Sequence, residues 1–161
     1  MDACENGDYL TVQRILNLIK DFNIEITDNL GRSALRLSVE NEHLEVVQAL
    51  LNKADNAKIK EALLLAIYLG HLNIAELILK HPKYRVFSDK KLGNGNTDSF
   101  WQTPSSDDAQ FPPDITPLIL AAQYNRTEVV QILLMQGDRI AKPHHFDCKL
   151  SLIHISQGIV R

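Results

Sequence analysis

A pattern of eighteen residues recurs along this chain, and the recurrence limits the fold more than any other property of the sequence. Segment 34–51 (ALRLSVENEHLEVVQALL) returns as 62–79 (ALLLAIYLGHLNIAELIL) and as 117–134 (PLILAAQYNRTEVVQILL), at spacings of 28 and 55 residues. A partial copy, 3–16 (ACENGDYLTVQRIL), stands at the N-terminus. In each copy, apolar residues recur three and four apart on both sides of a polar break such as Asn41-Glu42-His43 or Gly70-His71, which predicts two short helices joined by a turn. Helices this short are marginal in water by themselves, so the stability has to come from stacking one hairpin on the next. Ser38, Ala66, Ala121 and Ala122 are the small residues expected where helices approach closely. Val47, Leu50, Leu51 and their equivalents are expected to form the core between repeats. Thr116-Pro117 places a capping hydroxyl ahead of a proline at the first helical position, where the missing N–H costs nothing.

The expected architecture is therefore an all-α solenoid of about four helix-hairpin repeats, near residues 2–27, 28–57, 58–82 and 113–142. These form one domain over 1–142, interrupted by an insertion at 83–112 and followed by a linker and divergent tail over 143–161. The insertion contains Gly93-Asn94-Gly95-Asn96, Phe100-Trp101, Ser105-Ser106-Asp107-Asp108 and Phe111-Pro112-Pro113. Its turn formers and acids predict an excursion with little regular structure.

Composition removes several classes of function. A formal net charge of −3, with Lys and Arg scattered, leaves no basic stripe for nucleic acid. The two cysteines, Cys4 and Cys148, make no disulfide framework and fit a reducing compartment. The acidic start, Met1-Asp2-Ala3-Cys4-Glu5, does not read as a secretory signal. The longest apolar run, Ala62 to Leu69, falls well short of the ~20 residues a spanning helix needs.

The Thr116-Pro117-Leu118 start, the paired alanines, the Gly70-His71 turn and the closing leucine pairs resemble the ankyrin repeat. That motif has a period of about 33 residues. The 28-residue spacing therefore implies loss of the β-turn finger around Asn52 to Lys58, and the 55-residue spacing an addition of about 22 residues. The histidine of the ankyrin T-P-L-H start is replaced by Arg36, Leu64 and Ile119, so the hydrogen bond it makes to the threonine is not available here.

Narrower stretches resemble the N-terminal cytosolic region of short transient receptor potential (TRPC-type) channels. They are Asp2 to Asp8, Glu40 to Val46, Glu61 to Ile67, Pro113 to Pro117 and Val130 to Gly137, within a likeness that covers residues 1 to about 149. The resemblance implies a subunit of a calcium-permeable, non-selective cation channel, with this region on the cytosolic face of the plasma membrane, or in the cytoplasm if the short chain exists alone. It implies contacts with other channel subunits and with cytosolic segments of the same channel. In that family the last repeat is followed by P-H, three residues, then C-x-C-x-x-C, a cluster suited to zinc. Here Pro143, His144 and Cys148 match, but Leu150 stands at the next ligand position and no later cysteine follows. Two ligands make an incomplete half-site. No cofactor is expected, and zinc would belong only to a longer form. A free-standing adaptor that binds one soluble protein partner is the alternative reading.

Other motifs weigh little. Gly93-Asn94-Gly95 lacks the third glycine and the strand-to-helix setting of a dinucleotide loop, so it reads as a turn. Asn125-Arg126-Thr127 matches a glycosylation sequon at an inter-helix turn of a chain expected to stay cytosolic. Ser105 ahead of Asp108 fits an acid-directed kinase. His43 and His71 read as structural turn residues, and Phe100, Trp101 and Phe111 as pins holding the loop on the stack in preference to anchors for a partner. Neither the His144–Cys148 pair nor any other constellation supplies a nucleophile, a base and an orienting group, so no catalysis is expected. Partner contacts are expected at the ends of the first helices: Glu40, Asn41, Tyr68, Leu69, Gln123 and Tyr124, with the two tyrosines foremost.

Overall fold

The sequence pattern becomes helices in the computed structural model, which describes residues 1–18, 26–84, 111–112 and 115–138. Eight helices are described: α1 (Asp2–Glu5), α2 (Tyr9–Leu18), α3 (Ala34–Glu40), α4 (Leu44–Leu51), α5 (Asn56–Leu69), α6 (Leu72–Lys80), α7 (Pro117–Gln123) and α8 (Thr127–Met135). They pair as four hairpins, and the hairpins stack in two layers. α1, α3, α5 and α7 pack successively on one side, and α2, α4, α6 and α8 on the other.

Each hairpin turns by the same device. One or two residues past the end of the first helix, the backbone takes a positive φ: Gly7 at 74°, Glu42 at 58°, Gly70 at 88° and Asn125 at 55°. The N–H of the following residue then reaches back five residues: Asp8 to the Ala3 carbonyl at 2.8 Å, His43 to Ser38 at 2.9 Å, His71 to Ala66 at 2.9 Å and Arg126 to Ala121 at 2.8 Å. This closure satisfies carbonyls that the first helix leaves open and launches the second.

The helix starts follow local chemistry. The Ser33 hydroxyl accepts from the Arg36 N–H at 3.2 Å, and the Thr116 hydroxyl accepts from the Ile119 N–H at 3.3 Å with Pro117 at the first helical position. Asp55 caps α5 through the Lys58 N–H at 2.9 Å. The region between repeats differs accordingly. Ahead of α3 a turn is closed by a bridge between Thr27 and Ser33, with Asp28 accepting from the Leu30 and Arg32 N–H groups. Between α4 and α5 only residues 52–55 intervene. There α5 begins six residues before the repeat's Ala62, so a longer helix stands where a finger would otherwise be. The carbonyls of Asn52 and Ala54 are met from the next repeat by the Lys83 ammonium, at 2.9 and 2.8 Å.

The core lies between the layers. Ser38, Ala66 and Ala121 are wholly buried at the close approach, and the Ser38 hydroxyl donates to the Ala34 carbonyl at 2.8 Å. Two expectations fail here, for one reason. Ala122 is exposed, and Leu134, the equivalent of the fully buried Leu51 and Leu79, is 55% exposed. Positions 39, 47 and 51 in the second repeat, and 67, 75 and 79 in the third, are buried because the next hairpin lies on them. Their fourth-repeat counterparts, Ala122, Val130 and Leu134, face forward with no further described hairpin to cover them.

Candidate functional site: the ends of the first helices

The six residues expected to make contacts all fall where α3, α5 and α7 end, yet they divide into two kinds. In the second repeat the side chains are engaged by their own helix. Glu40 pairs with Arg36 one turn earlier at 2.8 Å and with Arg32 at 3.7 Å, and Arg32 in turn pairs with Asp28 at 2.8 Å. The Asn41 amide folds back onto the Leu37 carbonyl at 2.9 Å. Arg36 thus fills the position of the missing histidine and spends itself on a local pair.

In the third and fourth repeats the same positions hold Tyr68 and Leu69, and Gln123 and Tyr124. Tyr68 and Tyr124 meet edge to face, with ring centroids 5.1 Å apart and planes at 80°. Phe111, at the end of the insertion, meets Tyr68 from another side at 6.0 Å and is packed against the core. Edge-to-face contacts hold the rings in defined orientations without hiding them. Tyr68 and Leu69 remain 38% exposed and Tyr124 44%. Beside them the Gln123 side-chain nitrogen is buried with no hydrogen-bond partner among the described residues.

The backbone beneath the tyrosines is clamped from the next repeat. The Arg126 guanidinium lies against Gly70 and donates to the Ile67 carbonyl at 3.3 Å and the Tyr68 carbonyl at 3.2 Å. At the first junction the His43 ring lies against Gly7 and meets the Glu5 carbonyl at 2.8 Å, and at the second His71 faces the Glu42 carboxylate at 3.5 Å. Each second helix therefore begins with a residue that grips the preceding turn. The sequence reading gave His43 and His71 a structural place in the turns but missed Arg126. The signal was available, since Arg126 occupies the aligned histidine position.

Cys4 is buried, and burial pushes its thiol pKa up, away from the reactive thiolate. Burial, with the Asp138 carboxylate adding to it, likewise pushes the Tyr84 phenol up. Among the described residues no group of three or more His, Cys, Asp or Glu side chains converges as a metal site. His144 and Cys148 lie outside the described residues, as do Phe100, Trp101 and Ser105. No helix among the described residues is long and apolar enough to cross a membrane.

Stacked helix hairpins with matched turns define a helical repeat protein. Residues 1–89 match the family model for ankyrin repeats in three copies, and residues 114–147 match a single ankyrin repeat. The chain belongs to the ankyrin-repeat family. Among curated proteins it is 42% identical over 152 residues to human (Homo sapiens) short transient receptor potential channel 3, a match covering 92% of this chain and 16% of that protein. It is 37% identical over 149 residues to the transient receptor potential-gamma protein of Drosophila melanogaster, covering 91% of this chain and 12% of that protein. It is 35% identical over 150 residues to the transient-receptor-potential-like protein of Caenorhabditis elegans, covering 92% of this chain and 14% of that protein. Its repeats are homologous to the N-terminal ankyrin region of such channels, and they point to a non-enzymatic interaction region. The chain spans about a sixth or less of the length of these relatives.

Proposed function

We propose that this chain is the cytosolic ankyrin-repeat region of a calcium-permeable, non-selective cation channel subunit, where it holds other subunits and cytosolic segments of the same channel. In this reading the pore belongs to other parts of the channel, and no cofactor is needed for the contact. The observation that carries the reading is the preorganised patch of Tyr68, Tyr124 and Phe111 over the Arg126 clamp. Tyrosines fixed at low entropic cost and left partly exposed suit a protein segment more than a small apolar ligand. Glu40 and Asn41, already paired within the second repeat, form the polar border of that surface.

The test is association with purified cytosolic segments of a channel subunit. Tyr68→Ala combined with Tyr124→Ala should weaken association by at least about tenfold, in the range of truncating interface aromatics. Circular dichroism should stay unchanged, since both rings are exposed. Undiminished association in a folded double variant would reject this surface. Absence of any association with channel segments, together with capture of one soluble protein, would favour the adaptor reading.

A further inference from the structure

The two ends of the stack carry matching halves of the junction that joins its repeats. Burial lost only in the fourth repeat marks the forward face: Ala122, Val130 and Leu134. Burial lost only in the first repeat marks the backward face. Ala3, Thr11 and Ile15 are half-buried there, whereas the equivalent Ala66, Ile74 and Ile78 of the third repeat are buried against the second. The backward set of the first repeat keeps the small, β-branched, branched pattern of the internal one. Its single hydroxyl is already satisfied, since Thr11 donates to Asp8 at 2.6 Å.

The edges of the two faces agree as well. Leu18 occupies the position of His81, and Met135 that of Asn52, and at the internal junction His81 and Asn52 meet at 3.3 Å. Continuing the same stacking from one molecule to the next would therefore set Leu18 against Met135. These are the most exposed of the large apolar side chains among the described residues, at 82% and 89%. A polar pair inside the stack is replaced by an apolar pair at its ends. Asp8 would likewise come to the Asn125 turn, as His43 comes to Gly7 and Arg126 to Gly70, and a carboxylate there can accept from the asparagine amide.

We propose that the forward face of α7–α8 receives the backward face of α1–α2 from a second copy of this chain, so that the stack continues from molecule to molecule. This surface is separate from the tyrosine patch and does not depend on the function proposed for it. The contact is heterologous: each copy keeps one free half, and assembly has no built-in stop. A contact made by one hairpin face on each side should form at high concentration and reverse on dilution.

Sedimentation velocity and light scattering of the full 161-residue chain, from micromolar to millimolar concentration, test this. The average mass should rise past that of a dimer without reaching a plateau. Leu18→Lys blocks the backward face and Met135→Lys the forward one, and both sites are exposed, so each variant should fold normally and stay monomeric alone. An equimolar mixture of the two should form a one-to-one dimer and nothing larger, because one intact half remains on each. A wild-type chain that stays monomeric throughout, as expected if the forward face is reserved for a different polypeptide, overturns the proposal. So does a dimer that plateaus and is not restored by mixing, or association that survives both substitutions.

Discussion

Gly70→Ala separates the two reasons for glycine at the third turn. Gly70 has φ 88°, and a Cβ there would lie 2.7 Å from the Arg126 guanidinium carbon. A left-handed conformation costs a residue with a Cβ roughly 1–2 kcal/mol. The guanidinium is the far end of a flexible side chain and can move aside, but only by giving up its hydrogen bonds to the Ile67 and Tyr68 carbonyls. Those bonds are long and partly solvated, so losing both removes about 1 kcal/mol. The expected loss is about 2–3 kcal/mol, read as a fall in the urea midpoint at unchanged slope. In an Arg126→Ala background the clamp is already gone, and Gly70→Ala should cost only the backbone strain. The two changes should therefore couple by about 1 kcal/mol. Gly70→Asn should cost less than Gly70→Ala, because asparagine tolerates the left-handed region, as Asn125 shows at φ 55°. Equal costs of Gly70→Ala in both backgrounds would show that Arg126 does not clamp this turn.

Two further outcomes are expected. Ala66→Asp should abolish cooperative unfolding, because Ala66 is fully buried between hairpins and an unpaired carboxylate there costs several kcal/mol of a total stability of about 5–15. Ala122→Asp, on the open face, should leave the melting temperature almost unchanged, and equal damage at both positions would mean that the repeats are misaligned. Acidification should destabilise the array through His81, whose pKa is lowered from 6.5 by burial and by the nearby Lys83 ammonium. The unfolded chain binds this proton more readily, so the contribution is complete above 6.5 and falls as pH drops through the lowered value. His81→Gln should flatten that part of a stability-against-pH curve measured by urea denaturation, and an unchanged slope would remove His81 as its source.

Much of the fold was legible because the repeat is written in local chemistry. A capping hydroxyl before Pro117, small residues at 38, 66 and 121, and a polar break in each hairpin act over a few residues and read the same in every copy. The shortened spacing after Leu51 also indicated that no finger is present, although the early start of α5 at Asn56 took Asp55 and its cap to reveal. The candidate surface was legible only as a set of positions. Six residues occupy equivalent places in the repeat, yet Glu40 is spent on Arg36 and Arg32 while Tyr68 stays half-open beside Tyr124 and Phe111. Partners that lie 56 residues apart, as Tyr68 and Tyr124 do, leave no periodic trace.

The sequence by itself determined that this chain forms hairpins, where each one turns, and that the hairpins must stack, because turn and cap preferences belong to single residues and their near neighbours. Only the tertiary structure decided what each equivalent position does. Leu51, Leu79 and Leu134 carry the same side chain in the same helical register, and two are sealed while the third is open. Burial in a stacked array depends on whether another hairpin follows, and a residue's local sequence holds no record of that.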